Sequence, residues 1–213
     1  MMRKFAFISA IVFMLAGFGQ SAFAATADDA KAYATTIGEK VLTIMNDDKL
    51  RNNHKLAHLE ALFVDVVDVD WVGRFVLGRH WRSASEAQKE AYLPAYRDFL
   101  IKHYTSRFAE YSGETFSIEQ AEARRAGEYM VRMNIQRPRG QEPVIVDYML
   151  RERGDSFKVF DIVVEGVSLI NTQRSEFTSA VERKGLDKLI GALKSKTNSL
   201  AMQTSQELDA KTE

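Results

Sequence analysis

The apolar residues of this chain change their period twice. Between residues 28 and 111 they recur every three or four positions, between 114 and 165 every second position, and after Gly166 every three or four again. A helix gathers positions three and four apart into one stripe, whereas a strand sends alternate positions to one face. The order is therefore helices, a block of strands, then helices. Runs of each type, rather than alternation between them, give an α+β fold.

The first block predicts four helices. Ile37, Val41, Leu42 and Ile44 or Met45 mark one; Leu56, Leu59, Leu62 or Phe63 and Val66 mark a second over about Lys55 to Val67. Asp68 or Asp70 is placed to cap a third, short helix that carries Trp71, Val72, Phe75 and Val76 and runs out near Gly78. Ser85-Glu86-Ala87-Gln88 fits a capping box, and the stripe that follows is Tyr92, Tyr96, Phe99 or Leu100, His103 or Tyr104, and Phe108. Pro94 inside that fourth helix removes one hydrogen bond, so a kink near Glu90 is expected.

Four strand candidates follow: FSIEQAEAR, EYMVRMNIQR, PVIVDYMLRER and SFKVFDIVVEG. Turn signals at Ala126-Gly127, Pro138-Arg139-Gly140 and Arg153-Gly154-Asp155 join them as an antiparallel meander. The third strand sets Val144, Val146, Tyr148 and Leu150 against Ile145 and Met149; the fourth sets Val159 and Val163 against Phe160, Ile162 and Val164. A sheet apolar on both sides needs covering twice, which helices before and after it can supply. Ser168 can cap a further helix through Val181, Lys184-Gly185 marks its stop, and LDKLIGALKSK adds another amphipathic stretch. Residues 198–213 are polar and expected to fray. The expected architecture is a curved four-stranded antiparallel sheet wrapped by N- and C-terminal helices, forming one domain over residues 25–197.

Residues 1–24, MMRKFAFISAIVFMLAGFGQSAFA, have the layout of a secretory leader: Arg3 and Lys4, an apolar run to Phe18, then Ala22-Phe23-Ala24. Cleavage after Ala24 is expected, and with it the periplasm. The apolar run is shorter than the roughly 20 residues of a membrane span. The chain contains no cysteine, so neither disulfides nor a lipid anchored on cysteine can hold it. Losing Arg3 and Lys4 leaves 27 basic and 29 acidic residues, a net charge of −2. That balance offers nothing to hold nucleic acid.

Few residues suggest chemistry. His54 and His58 have metal-ligand spacing but no third ligand, so a solvated helix face and no metal is the expectation. Asp65, Asp68 and Asp70 are separated by valines where a calcium loop needs ligands and a glycine. No GxSxG elbow or nucleotide-binding glycine loop is present. A small pocket enzyme would use Asp147 or Asp161 beside Tyr148; the plainer role for either aspartate is to face water or pair with Arg132 or Arg151. A protein-only envelope scaffold with a solid core is a further alternative. The pattern does not say whether the apolar faces close on one another or leave a cavity.

The stretches DVDWVGRFVLGRHWRSASEAQKEAY, FLIKHY, VDYMLRERGDSFKVFDIVVEGVSLINTQRSEF and RKGLDKLIGAL resemble the MlaC family, also called the toluene-tolerance family, over about residues 30 to 197. Two positions depart from the pattern: Pro94, inside a helix, and Gln173, where the family pattern has an aromatic. The resemblance implies a periplasmic phospholipid carrier that performs no chemistry and needs no cofactor beyond its cargo. It further implies an outer-membrane lipoprotein complex and the substrate-binding domain of an inner-membrane ABC transporter as partners, and maintenance of outer-membrane lipid asymmetry as the task. On that expectation an apolar cavity is walled by Trp71, Val72, Phe75 and Val76, by Val144, Val146, Tyr148 and Leu150, by Phe160, Ile162 and Val164, and by Tyr96, Phe99, Leu100 and Tyr104. Arg74 and Arg79 would face outward.

Overall fold

A computed structural model describes residues 25 to 210; the expected leader lies outside the described residues. Helix α1 (Ala27–Met45) starts at a capping box in which Thr26 Oγ1 accepts from the Asp29 amide at 3.2 Å and Asp29 Oδ2 accepts from the Thr26 amide at 2.8 Å. Helices α2 (Asn52–Val66) and α3 (Val69–Leu77) meet at an elbow, where the Asp68 amide donates to the Val159 carbonyl at 2.9 Å. Gly78, at φ +58°, ends α3 and a five-residue α4 (Arg79–Ser83) follows directly. Ser85 and Gln88 form the expected capping box of α5 (Glu86–Thr105), which runs through Pro94 as one helix into a 3₁₀ segment, Ser106–Glu110.

The sheet is antiparallel, in the order β1 (Thr115–Arg125), β2 (Glu128–Gln136), β3 (Val144–Arg153), β4 (Ser156–Val164) and β5 (Val167–Ser168). It has five strands, not the expected four. Glu165 (φ +50°) and Gly166 (φ +82°) make a two-residue turn that folds Val167 and Ser168 back onto Val164 and Val163. Two residues are too few to show a period, so the sequence reads them only as the approach to a helix. Ser168 then caps α6 (Leu169–Lys184), accepting from the Asn171 amide at 3.2 Å, and α7 (Leu186–Ala210) completes the chain. The stretch from residue 198, expected to fray, stays helical to Ala210.

Each face of the sheet carries its own core. On one, Tyr129, Val131, Leu150 and Val159 pack with Ala30 and Ala34 of α1 and Val66 of α2. On the other, Phe160 packs with α3, α5, α6 and α7 through Val72, Val76, Tyr92, Tyr96, Phe177 and Leu189. A β-bulge separates the two: Leu150 pairs with Val159 and Met149 with Asp161, so Phe160 and Asp161 together oppose Met149. The extra residue resets the alternation of β4, and Val159 and Ile162, three apart, come to face the same side.

Candidate functional site

That shared side is the floor of a cleft of about 320 Å³. Met133 and Ile135 of β2, Tyr148 and Leu150 of β3, and Val159 and Ile162 of β4 form the floor; α1 contributes Tyr33, Ile37, Gly38 and Val41, and α2 contributes Leu59, Leu62, Phe63 and Val66. Tyr104, Phe108, Tyr111 and Phe116 complete the lining. The helix residues follow from the period: positions three and four apart on α1 and α2 turn to the sheet. Gly38 is used for close approach, since a Cβ there would stand 2.3 Å from the Phe116 ring.

The electrostatics of the cleft are those of a hydrocarbon site. Burial pushes the Tyr33 phenol, with the nearby Asp65 charge adding to it, up to about 12. Burial likewise raises Tyr148, so both phenols stay neutral at any physiological pH. The one charged residue among those lining the cleft is Glu114. Burial would raise its carboxyl, but the Ser112 amide and hydroxyl, with the amides of Glu114 and Gly113, hold it below the usual range.

The carboxylates considered for proton transfer have other partners. Asp147 accepts two hydrogen bonds from Arg132, at 2.7 and 2.8 Å. Asp161 is buried and accepts from Ser168 Oγ at 2.6 Å, the Ile162 amide at 2.8 Å and the Ile170 amide at 3.2 Å. It anchors α6 to β4 on the face opposite Tyr148. Asp65, Asp68 and Asp70 pair with Lys158, Arg153 and Arg97, at 3.7, 2.8 and 2.6 Å, on three different elements. Asp68 therefore ties α3 to the β3–β4 turn, and its side chain makes no capping bond. Among the described residues, no group of three or more histidines, aspartates and glutamates stands close enough to hold a metal ion.

The wall residues expected from the sequence divide into three groups. Tyr104, Tyr148, Leu150 and Ile162 line the cleft. Val72, Tyr96, Leu100 and Phe160, with Tyr104 and Ile162, line a recess of about 40 Å³ that shares Phe63, Val67, Tyr104, Val159 and Ile162 with the cleft. Trp71, Phe75, Val76 and Phe99 pack in or against the second core, and Val144, Val146 and Val164 belong to neither lining. Trp71 stacks on Phe75 at 5.0 Å and meets Phe160 edge-on at 5.6 Å, with the Arg151 guanidinium 4.3 Å from its ring. Gln173 accepts the Tyr96 hydroxyl at 2.6 Å, which gives the departure from the family pattern a polar partner. The α1 and α2 linings were visible as helix stripes, but a stripe does not reveal whether it closes on a solid core or a cleft. Within the α1 and α2 linings only Gly38, mid-helix, signals an unusually close approach.

A family model described as MlaC protein matches residues 35–195. The chain belongs to the MlaC family. It is 25% identical over 127 residues to the intermembrane phospholipid transport system binding protein MlaC of Haemophilus influenzae, covering 58% of this chain and 59% of that protein. It is also 25% identical over 135 residues to the toluene tolerance protein ttg2D of Pseudomonas putida, covering 62% of each. The chain thus spans about three fifths of the length of these curated relatives. Among solved structures, a phospholipid-binding protein from Ralstonia solanacearum, in complex with a phospholipid, superposes with a TM-score of 0.69 at 27% identity. That match covers 81% of this chain and 99% of the other. This MlaC-family chain therefore shares both fold and a quarter of its sequence with a protein caught holding a phospholipid.

Proposed function

We propose that this MlaC-family chain is a phospholipid-binding transport protein, a periplasmic carrier that moves lipid between the outer and inner membranes without chemical change. The observation that carries the reading is the apolar cleft between α1–α2 and the sheet, in a fold shared with the phospholipid-bound relative. A diacyl lipid in water exposes about 30 methylenes at ~0.8 kcal/mol each, on the order of 24 kcal/mol, and only an apolar enclosure can replace the bilayer. Its head group can remain wet at the mouth, consistent with a chain of near-neutral charge. The cleft, about 320 Å³ and open to solvent, can seat acyl chains while the head group stays at its mouth.

In this reading the lipid does not leave unaided, because release into water costs what loading gained. Partners must offer an equally apolar path: an outer-membrane lipoprotein complex on one side, and the substrate-binding domain of an inner-membrane ABC transporter on the other. The intermembrane transport system named for the Haemophilus influenzae relative supports such partners. Maintenance of outer-membrane lipid asymmetry would be the result. The expected leader at residues 1–24 supports export.

The test is mass spectrometry of lipid extracted from protein purified out of the periplasm without detergent. Stoichiometric phospholipid is the expected result. Protein that is clean, and stays empty after incubation with vesicles, would overturn the carrier reading.

A further inference from the structure

Helix α7 runs parallel to α5 and the 3₁₀ segment that continues it. Gln88 Nε2 donates to Asp187 Oδ1 at 3.1 Å near the start of both helices, and Ala109 and Leu208 line one recess together near their ends. The seam between them holds another recess, of about 230 Å³, that shares no lining residue with the apolar cleft. Its charged side chains are sorted along the seam. His103 and Arg107 precede Glu110 on one side, and Lys196 precedes Glu207 on the other. In parallel elements that order gathers the cations at one end and the acids at the other.

We propose that the cation end of this seam binds a phosphomonoester-type oxyanion, held by Arg107, Lys196 and His103 from two elements and by the Thr204 hydroxyl. Two observations point to a ligand. Among the described residues neither Arg107 nor Lys196 makes an ion pair or a side-chain hydrogen bond, so the acids that share the recess leave them unpaired. Both stand close enough to act on His103: burial first, then these two charges, hold its imidazole below the usual range. The second observation is Thr204, which lines the recess and is only 5% exposed. Among the described residues its hydroxyl has no hydrogen-bond partner. A buried hydroxyl ordinarily has one, and the place for it here is the recess.

The donor set selects the occupant. Arg107 offers a fork of donors, Lys196 three hydrogens, and Thr204 and the His103 ring one each. A phosphate or phosphomonoester, with three or four free oxygens, can accept from both elements at once; a carboxylate or a phosphodiester has only two to divide between them. An anion among these cations also offsets their mutual repulsion. Glu110 and Glu207 limit its size. An occupant reaching from Lys196 to Glu207, about 16 Å along α7, would meet negative charge, so a polyanion is disfavoured. The same monoester chemistry is offered by free phosphate and by the head group of phosphatidic acid at a bilayer surface. Because the recess is separate from the apolar cleft, the proposal does not depend on the carrier reading.

The experiment titrates the mature protein with inorganic phosphate in a calorimeter, at constant ionic strength, and in parallel sediments it with phosphatidylcholine vesicles made with and without phosphatidic acid. Saturable binding of one phosphate per chain is expected. Arg107→Gln and Lys196→Gln should each weaken it about tenfold, the effect of losing a hydrogen bond to a charged group. Thr204→Val should weaken it about threefold and Thr204→Ser should not, since serine keeps the hydroxyl. Thermal unfolding checks that each variant is folded, and lipid loading of the cleft should be unchanged in all of them. Capture by phosphatidic acid vesicles alone, lost in Arg107→Gln, would assign the same site to a lipid-borne monoester. Absence of binding in both arms overturns the proposal. So does phosphate binding that folded Arg107→Gln and Lys196→Gln leave unchanged, because the anion then sits elsewhere.

Discussion

Phe116 of β1 lies with its ring against the backbone of α1 at Gly38, so closely that a Cβ on that glycine would stand 2.3 Å from the ring's Cζ and 2.6 Å from Cε1. The contact closes the side of the cleft where the first strand meets the first helix. Because the clash falls on the far end of a side chain, the ring can yield by swinging into the cleft it lines. Gly38→Ala is therefore expected to change stability by under about 1 kcal/mol, the gain in helix propensity offsetting the crowding. Lipid loading should fall severalfold, and Phe116→Ala in the same chain should restore it. Unaltered loading in Gly38→Ala would show that Phe116 does not border the lipid.

Ile162 and Val164 give a sharper test of where the wall lies. The sequence places both on one face of β4, but only Ile162 lines the cleft. Ile162→Trp should cut lipid loading about tenfold by filling volume the acyl chains need, at a cost of roughly 1–3 kcal/mol if the indole is also overpacked. Val164→Trp should load almost as well as the unsubstituted protein. Equal losses, measured by extracted lipid per protein, would extend the wall beyond the cleft described.

Asp161 holds three donors at the junction between β4 and α6. Asp161→Ala leaves the Ile170 amide and the Ser168 hydroxyl without their acceptor in a buried place, and each unsatisfied donor costs about 1–3 kcal/mol. A loss of roughly 3 kcal/mol in urea unfolding is expected, with lipid loading per folded molecule preserved. Normal stability but abolished turnover of some substrate would revive the enzyme reading of this carboxylate.

His103 stacks on Phe99 at 5.4 Å and meets Tyr104 edge-on at 5.1 Å. Burial, then the charges of Arg107 and Lys196, depress its pKa below the usual 6.5. The unfolded chain therefore binds this proton first as pH falls. Stability contributed by the neutral ring is fully present above about pH 6.5 and lost as pH drops through the depressed folded value. The slope from this one group cannot exceed about 1.4 kcal/mol per pH unit, and half-exposure keeps it well under that. Urea midpoints between pH 7.5 and 5 should fall less steeply in His103→Gln; identical slopes would remove His103 from the account.

Much of the fold is legible in the chain because it is encoded locally. Ser85 and Gln88, Ser168, and Gly185 (φ +83°) mark helix ends through contacts or conformations that span only a few residues. The turns at Gly127, Gly140 and Gly154 separate the strands for the same reason. Asp68 shows the limit of this reasoning. As a short acid before a helix it reads as a cap, yet it is taken by Arg153, 85 residues away, because a charged partner outcompetes an amide and the sequence cannot show that the β3–β4 turn lies beside it.

The candidate site divides along the same line. The sequence by itself determined the helix stripes and the two-faced sheet, which rest on patterns a few residues wide, and the MlaC-family membership, which rests on a match across residues 35–195. Only the tertiary structure decided which apolar faces meet and which stand apart. The bulge at Phe160 turns Val159 and Ile162 to one side, and β1 brings Phe116 to Gly38. The apolar stripe of α3 packs into the second core, with Val72 at the edge of a small recess, while those of α1 and α2 border the cleft. The hydrophobic effect that buries all of these stripes is non-directional. Whether a face finds a neighbouring side chain or an opening is settled by the geometry of the elements around it.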